Sequence, residues 1–400
     1  VAKVQKKESR KSSFGLSIFV IQNLMDMVKK IGVLGGGQLG RMLIQEAIDL
    51  DVEIHCLEND SDAPCAKIAH GFTKGSITDK QTVLDFGASF EVISVEIENV
   101  SIEALYELEE QGKKVYPQPR VLALIKDKGI QKEFYKTNQI PTAAFQLISK
   151  IEDLHTPMEF PFVQKLRVGG YDGKGVKIIR SQADWENRFT EPSVIEEMIP
   201  FEKELSVIVA RNASGEIKSF DAVECEFNSE ANLVEFQFSP AAISKEIEAK
   251  AQHIAKEVIS KLNMVGLLAV EFFLTTAGEL LVNEMAPRPH NSGHHTIECC
   301  FTSQFAQHLR AILNMPLGDT SVIMPGAMLN IIGEKGFEGP VAYEGLPDVL
   351  AMKGVYVHLY GKTHTKPFRK MGHVTILGKD LQELKTKVEE IKNKVKCISK

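Results

Sequence analysis

Two glutamates in the stretch "VEFFLTTAGELLVNE" carry the most specific chemistry in this 400-residue chain. A two-residue turn at Ala277-Gly278 pairs the flanking strands so that Glu271 and Glu284 face each other on one side of a sheet. Like charges directly opposite destabilise a strand pair, so the arrangement calls for a cation. Two carboxylates beside a polyphosphate suit Mg2+, which keeps several waters and takes few protein ligands. A turn of odd length would slip the register by one and send the two side chains to opposite faces.

Four further segments bear on what such a pair would serve. "GGYDGKG" (169–175) lies between the apolar runs "PFVQKLR" and "VKIIR", so it predicts a hairpin tip rather than a strand-to-helix turn. It is no P-loop, because Val168 precedes it and Gly175 follows Lys174 where a hydroxyl residue is required. Unhindered backbone N–H groups can still close on phosphate oxygens, and Lys165 would add its charge; a solvated surface hairpin is the other reading. "NEMAPRPHNSGHHT" gathers Arg288, His290, Asn291, Ser292, His294 and His295. His290 and His294 are four apart, a zinc spacing on a helix, but Pro287 and Pro289 argue against a helix, and a polar loop for an anionic ligand fits better. "YGKTHTKPFRKMGH" sets Lys362, Lys366, Arg369 and Lys370 at the start of a strand, where they could hold a phosphate or simply be solvated. Lastly, Gly35, Gly37 and Gly40 of "VLGGGQLGRM" match G-x-G-x-x-G after a strand, with Glu58 downstream, the pattern of a dinucleotide site.

The elements that must position these residues alternate. "KIGVLG", "GRMLIQEAIDL", "VEIHCLE", "FEVISVEIENV" and "SIEALYELEEQG" read strand, helix, strand, strand, helix, which implies a parallel, doubly wound α/β sheet ending near Pro117 and Pro119. One helix is expected through "RVLALIKDKGIQKEFYKTNQI", stopped by Pro141, and others at "SKEIEAKAQHIAKEVISKLN", "TSQFAQHLRAILN" and the Lys-rich "DLQELKTKVEEIKNKV". The expected domains are an extension over 1–27, poorly ordered or non-native, with the working chain starting near Met25 or Met27; an N-terminal domain over 28–118; a central domain over 119–320; and a small C-terminal domain over 321–400.

Net charge is −6, yet the first thirty residues carry +5, leaving −11 on the remainder. Bulk electrostatics therefore argue against nucleic acid as a partner. No stretch reaches the roughly 18 apolar residues of a membrane span, and six cysteines without a C-x-x-C pair suit reduced thiols in the cytoplasm.

Taken in order, "GGGQLGRM", "ENV" (98–100), "GGYDGKG", "NEMAPRPHNSGH" and "RKMGH" resemble the ATP-grasp enzymes, and among them the 5-(carboxyamino)imidazole ribonucleotide synthetases of bacterial purine biosynthesis. The resemblance spans about residues 29–385. It implies a Rossmann-like N-terminal domain, a central ATP-grasp domain that clamps ATP between two sheets, and a small C-terminal β-rich domain. It also implies ATP and Mg2+ as cofactors, 5-aminoimidazole ribonucleotide and bicarbonate as substrates, and a cytoplasmic homodimer.

Carried over residue by residue, the resemblance assigns Lys165 to the ATP phosphates. Gly170, Tyr171, Asp172, Gly173, Lys174, Gly175 and Val176 form the lid over them. Glu196, Glu197, Met198 and Ile199 lie beside adenine at a strand edge, and Glu204 meets the ribose hydroxyls. Lys128 and Asn283 complete the nucleotide side, and Glu271 and Glu284 hold Mg2+. Tyr171, Asp172, Lys174, His290, Asn291 and Ser292 meet the imidazole nucleotide, whose phosphate takes Lys362 and Arg369, with Lys370 beside them. Gly37, Gln38 and Leu39 belong to this substrate side, so no dinucleotide binds there. Asp172 and His290 are alternative carriers of the amine proton.

Two positions depart from the family pattern. Lys128 stands where Arg is common, and Phe227, in "ECEF", stands where many members have a histidine. Another ATP-grasp ligase, such as a formate-dependent glycinamide ribonucleotide transformylase, is the near alternative. A nicotinamide dehydrogenase and a degenerate regulatory nucleotide-binding protein are the distant ones.

Overall fold

A computed structural model describes residues 28–150, 153, 159–170, 175–228 and 233–400. Strands β1 (Lys30–Leu34), β2 (Glu53–Glu58), β3 (Gly71–Lys74), β4 (Val92–Val95) and β5 (Lys114–Tyr116) form an all-parallel sheet in the order β3-β2-β1-β4-β5. Helices α1 (Gln38–Asp49), α2 (Lys80–Gly87) and α3 (Ile102–Glu110) connect them. Both faces are covered, so β4 is apolar and buried along most of its length rather than alternating.

The start of α1 answers the dinucleotide question. Helices α2 and α3 open on capping side chains, Asp79 and Ser101, whereas α1 has no side-chain cap of its own. Its free amides go to Glu96, just beyond β4, whose carboxylate accepts from Gly37 N–H and, at 2.9 Å, from Leu39 N–H. Gly36 N–H donates to Glu58 at 3.2 Å. The amides that would receive a pyrophosphate are thus already engaged by this chain's own carboxylates. Gly37 is required by the same contact, because a Cβ there would stand 2.5 Å from Glu96 Oε1. Gly37→Ala is expected to cost about 1–3 kcal/mol through this clash; an unchanged denaturation midpoint would contradict the account.

The single helix expected over 120–140 is two, α4 (Pro119–Lys126) and α5 (Lys128–Thr137). Asp127 leaves the helical region at φ −110°, ψ 108°, and its side chain accepts from the Gly129 and Ile130 amides to cap α5. Arg167 grips the same carboxylate at 2.7 and 2.9 Å, so the start of α5 is fixed to the strand that precedes the glycine hairpin.

Two antiparallel sheets follow. The smaller comprises β6 (Phe145–Ile148), β7 (Phe162–Leu166), β8 (Val176–Ile179) and β9 (Ser193–Glu197) in the order β6-β9-β7-β8. The larger contains β10 (Phe201–Arg211), β11 (Ile217–Ser219), β12 (Val223–Asn228), β13 (Leu233–Ser239), β14 (Gly266–Thr275) and β15 (Leu280–Ala286). Helix α6 (Gln182–Glu186) follows β8, and the long α7 (Lys245–Lys261) starts on a Ser244 cap. The apolar face of α7 (Ala251, Ile254, Ala255, Val258) packs with Leu205, Val207, Val270 and Phe272 in the largest core.

The C-terminal region is not a detached sheet. Strand β16 (Gly326–Ile332) pairs with β13, and β18 (Val355–Leu359) and β20 (Lys370–Leu377) continue it, giving the order β15-β14-β10-β12-β13-β16-β20-β18. Beyond it lie β17 (Gly339–Glu344), the two-residue β19 (His364–Thr365) and the helix Leu381–Lys394; a final strand, Lys396–Ser399, which the sequence reading missed, pairs with β17. The helix Gln304–Ile312 also crosses the expected boundary, burying Phe305, Leu309 and Ile312 among N-terminal core residues. Among the described residues, no helix is long and apolar enough to cross a membrane, and all six cysteines are unpaired.

Candidate active site

The β14–β15 hairpin places Glu271 opposite Glu284, but not through a two-residue turn. The loop has three residues, 276–278, closed by Thr275 N–H to Glu279 O at 2.9 Å, with Gly278 left-handed at φ 81°. That odd loop pairs Phe272 with Val282 and, uncorrected, would bring Asn283 opposite Glu271. A bulge at Asn283 adds one residue and restores the opposition of the carboxylates. The register expectation therefore holds, for a different reason from the one argued.

The two carboxylates keep 30% and 44% of their side-chain surface open. Burial of the rest, then the charges of Glu284 and Glu204, push Glu271 up to about 7. Burial would raise Glu284 as well, but the Lys128 ammonium bonded to it holds it below the usual carboxylate range. Glu204, one strand over on β10 and paired with Phe273, is raised to about 7 by burial, with Lys165 opposing.

A sign follows for pH. Carboxyls whose folded pKa is raised stay protonated while the unfolded chain has already ionised, so stability falls as pH rises from the ordinary carboxylate range through about 7. The histidines His290, His294, His295, His308 and His373, held neutral by burial, act in the opposite sense, so the contribution of Glu271 is read by difference. Glu271→Gln is expected to gain stability relative to the parent as pH rises from about 5 to about 8, and a difference in thermal scans that does not change with pH would refute this assignment.

The opposite wall is the small sheet. From β7, Lys165 reaches Glu196 Oε1 at 3.2 Å and Asn283 Oδ1 at 2.9 Å. Glu196, on β9, also holds Lys132 at 2.9 Å, and both of these side chains are almost fully buried. Burial favours the neutral form of each, yet the two lysines keep Glu196 below the usual range, while Lys132 is lowered to about 8. The sequence reading missed Lys132, although Lys128 and Lys132 stand at i, i+4 on α5 and so share a face.

Strand β9 lies between β6 and β7, so Glu196 is not at a strand edge; its side chain points inward and Glu197 N–H is bonded to Ala144 O. Met198 and Ile199 follow the strand, which moves any edge contact with a base to them. The hairpin reading of 165–176 stands, with Lys165 paired to Val176 and Leu166 N–H bonded to Gly175 O. Gly170 and Gly175 frame its tip, where a Cβ on Gly175 would meet Gly170 Cα at 3.0 Å. Tyr171, Asp172, Gly173 and Lys174 lie outside the described residues. Phe227, on β12, pairs with Val234 beside a bulge at Glu235 of β13.

The segment after β15 contains no zinc pair. His290 turns Nδ1 to Ser292 Oγ at 2.9 Å and Nε2 toward Glu271 at 3.5 Å, whereas His294 faces Gln304 at 3.0 Å. Burial, then Arg288 and Lys370, push His290 well down, so its imidazole is neutral. Asn291 exchanges two 2.9 Å bonds with Asn330 of β16, and Ser292 meets Ser206 at 2.8 Å. Arg288 pairs with Glu98 of "ENV" at 2.9 Å. Lys362 donates to Gln38 Oε1 at 2.8 Å and to Lys370 O at 2.6 Å, while Arg369 donates to His364 O at 2.7 Å. The substrate-side residues of the first glycine loop and the C-terminal basic group therefore meet at Gln38. The amides of Gly37 and Leu39 are already occupied.

Two antiparallel sheets facing each other, with Lys165 on one and paired carboxylates on the other, and with Lys128 and Lys132 reaching in from α5, define an ATP-grasp enzyme. Residues 133–305 match the ATP-grasp domain, 28–126 the ribonucleotide synthetase preATP-grasp domain, and 326–387 the phosphoribosylaminoimidazole carboxylase C-terminal domain. The chain belongs to the N5-carboxyaminoimidazole ribonucleotide synthase family and is an ATP-dependent ligase. It is 36% identical over 373 residues to the synthase of Bacillus subtilis, covering 91% of this chain and 94% of that one. The Thermotoga maritima synthetase structure superposes with a TM-score of 0.87 at 40% identity, covering 93% of this chain and all of that one. A synthase from aspergillus clavatus, in complex with ADP and 5-aminoimidazole ribonucleotide, superposes at 0.82 with 31% identity, covering 92% of this chain and 98% of that one.

Proposed function

We propose that this chain joins bicarbonate to the 5-amino group of 5-aminoimidazole ribonucleotide, with ATP split to ADP and phosphate, in purine biosynthesis. The observation that carries the reading is the carboxylate pair at the nucleotide cleft, with His290 reaching Glu271 from the segment that also holds Asn291 and Ser292. Bicarbonate is a poor electrophile; transfer of the γ-phosphoryl group to one of its oxygens makes carboxyphosphate. Breaking the C–O bond to phosphate then releases CO2 beside the amine, which forms the C–N bond and loses a proton.

The roles are those the family resemblance assigns, and the cleft geometry supports them. Lys165, with Asn283 fixing its ammonium, meets the phosphates from the small sheet, and Lys128 meets them from α5. Met198 and Ile199 lie beside the base, and Glu204 beside the ribose. Glu271 and Glu284 would hold Mg2+: opposed carboxylates at a phosphate-binding cleft are the donor set that such an ion takes. Held there, Mg2+ would supply neutralisation of the charge on the transferring phosphoryl group. His290, neutral and tied to Ser292, orients the amine rather than storing its proton. Lys362, Lys370 and Arg369 hold the 5′-phosphate near Gln38.

A homodimer working in the cytoplasm belongs to the same proposal and rests on the family resemblance. The test is label from bicarbonate entering the imidazole nucleotide only when ATP and Mg2+ are present. Label incorporation from formate into glycinamide ribonucleotide instead would move the chain to the transformylase alternative.

A further inference from the structure

We infer that Lys132 is a positioning residue for ATP, and that it acts by neutralising Glu196 so that the charge of Lys165 stays available to the phosphates. The inference rests on Lys165 being the phosphate-binding lysine. Glu196 stands between two ammoniums, Lys132 at 2.9 Å and Lys165 at 3.2 Å. A Lys165–Glu196 pair alone is neutral and would present little field to an anion, whereas the triad with Lys132 carries one net positive charge. That excess charge sits on the cleft side. Lys165 keeps 12% of its side-chain surface exposed, against 3% for Lys132.

The same ammonium also links the two walls of the cleft. Lys132 Nζ donates to Thr142 Oγ1 at 2.7 Å, and Thr142 in turn donates to Val282 O of β15 at 2.7 Å. Val282 N–H donates to Pro141 O at 2.8 Å. Lys132 therefore bonds to the small sheet through Glu196, and to the carboxylate hairpin, one residue before the Asn283 bulge, through Thr142. Nothing in the sequence reading or the family patterns quoted above assigns this lysine a role.

The experiment compares steady-state kinetics of Lys132→Met, the double variant Lys132→Met/Glu196→Gln, and Lys165→Met. Lys132→Met is expected to raise the KM for ATP by about tenfold or more, with the KM for the imidazole nucleotide within about twofold of the starting protein. Removing the carboxylate that Lys165 would then neutralise alone should release Lys165, so the double variant should recover most of the lost ATP affinity. In it the Lys165 ammonium keeps Asn283 Oδ1 at 2.9 Å and its opening to the cleft, and Lys132→Gln, which keeps a polar group for Thr142, is the second variant if either of these fails to fold. A double variant no better than Lys132→Met, or an unshifted ATP KM in folded Lys132→Met, would overturn the inference and leave a purely structural lysine. An unshifted ATP KM in Lys165→Met would instead remove the phosphate assignment, and the inference with it.

Discussion

Glu271→Gln and Glu284→Gln are each expected to lower kcat by at least about a hundredfold, because each removes half of the protein's ligand set for a cation that supplies several kcal/mol of charge stabilisation in phosphoryl transfer. Their effects on the nucleotide-free protein should have opposite signs. Glu271 is raised to about 7 partly by its like-charged neighbour, so an amide there relieves repulsion and raises the melting temperature. Glu284 is bonded to Lys128, only 14% of whose side chain is exposed, so an amide there leaves a mostly buried ammonium without its counter-charge and lowers it. The stabilisation of the parent protein by Mg2+ with ADP should vanish in both variants. Parallel melting shifts, or Mg2+-dependent stabilisation that survives in Glu271→Gln, would remove the carboxylates from the metal role.

The second large effect is expected at Lys165. Lys165→Met should lower kcat/KM for ATP by roughly a hundredfold, the scale set by removing a pre-positioned charge from a developing phosphoryl transition state. The variant leaves Glu196 paired to Lys132 alone, so the small-sheet wall becomes neutral. Lys165→Arg is not expected to rescue it: the ammonium fits a narrow position between Glu196 and Asn283 Oδ1, 2.9 Å away, and a planar fork replaces a point charge poorly there. The KM for the imidazole nucleotide, bound on the other side of the cleft, should change little. A loss confined to that KM would mean that Lys165 serves the wrong substrate in this account.

Particular residues show what a sequence alone can carry. Hydrophobic period and turn chemistry were enough to place the parallel sheet, the glycine hairpin and α7, since each is specified locally. Glu271 and Glu284 were legible as a pair because a short hairpin ties their separation in sequence to their separation in space. The bulge at Asn283 was not, because nothing in "LLVNEM" distinguishes a regular strand from one that must absorb an odd loop. The break at Asp127 was written in the sequence as a capping residue inside an apolar periodic stretch, and periodicity outvoted it. Glu96 and Lys132 were missed for a tertiary reason: their partners, the Gly37 and Leu39 amides and Glu196, are 57 to 64 residues away. The strand-edge reading of Glu196 failed in the same way, since whether a strand is an edge depends on sheet order, which local pattern does not contain.

The account as a whole turns on coupling between the two substrate sides of the cleft. The measurement that tests it most directly is phosphate release from Mg·ATP with bicarbonate, in the presence and absence of 5-aminoimidazole ribonucleotide. Strong stimulation by that nucleotide, at one phosphate per carboxylated product, is the predicted result. Phosphate release that the nucleotide does not change, with no carboxylated product, would contradict it and leave an ATP-grasp site in search of another amine.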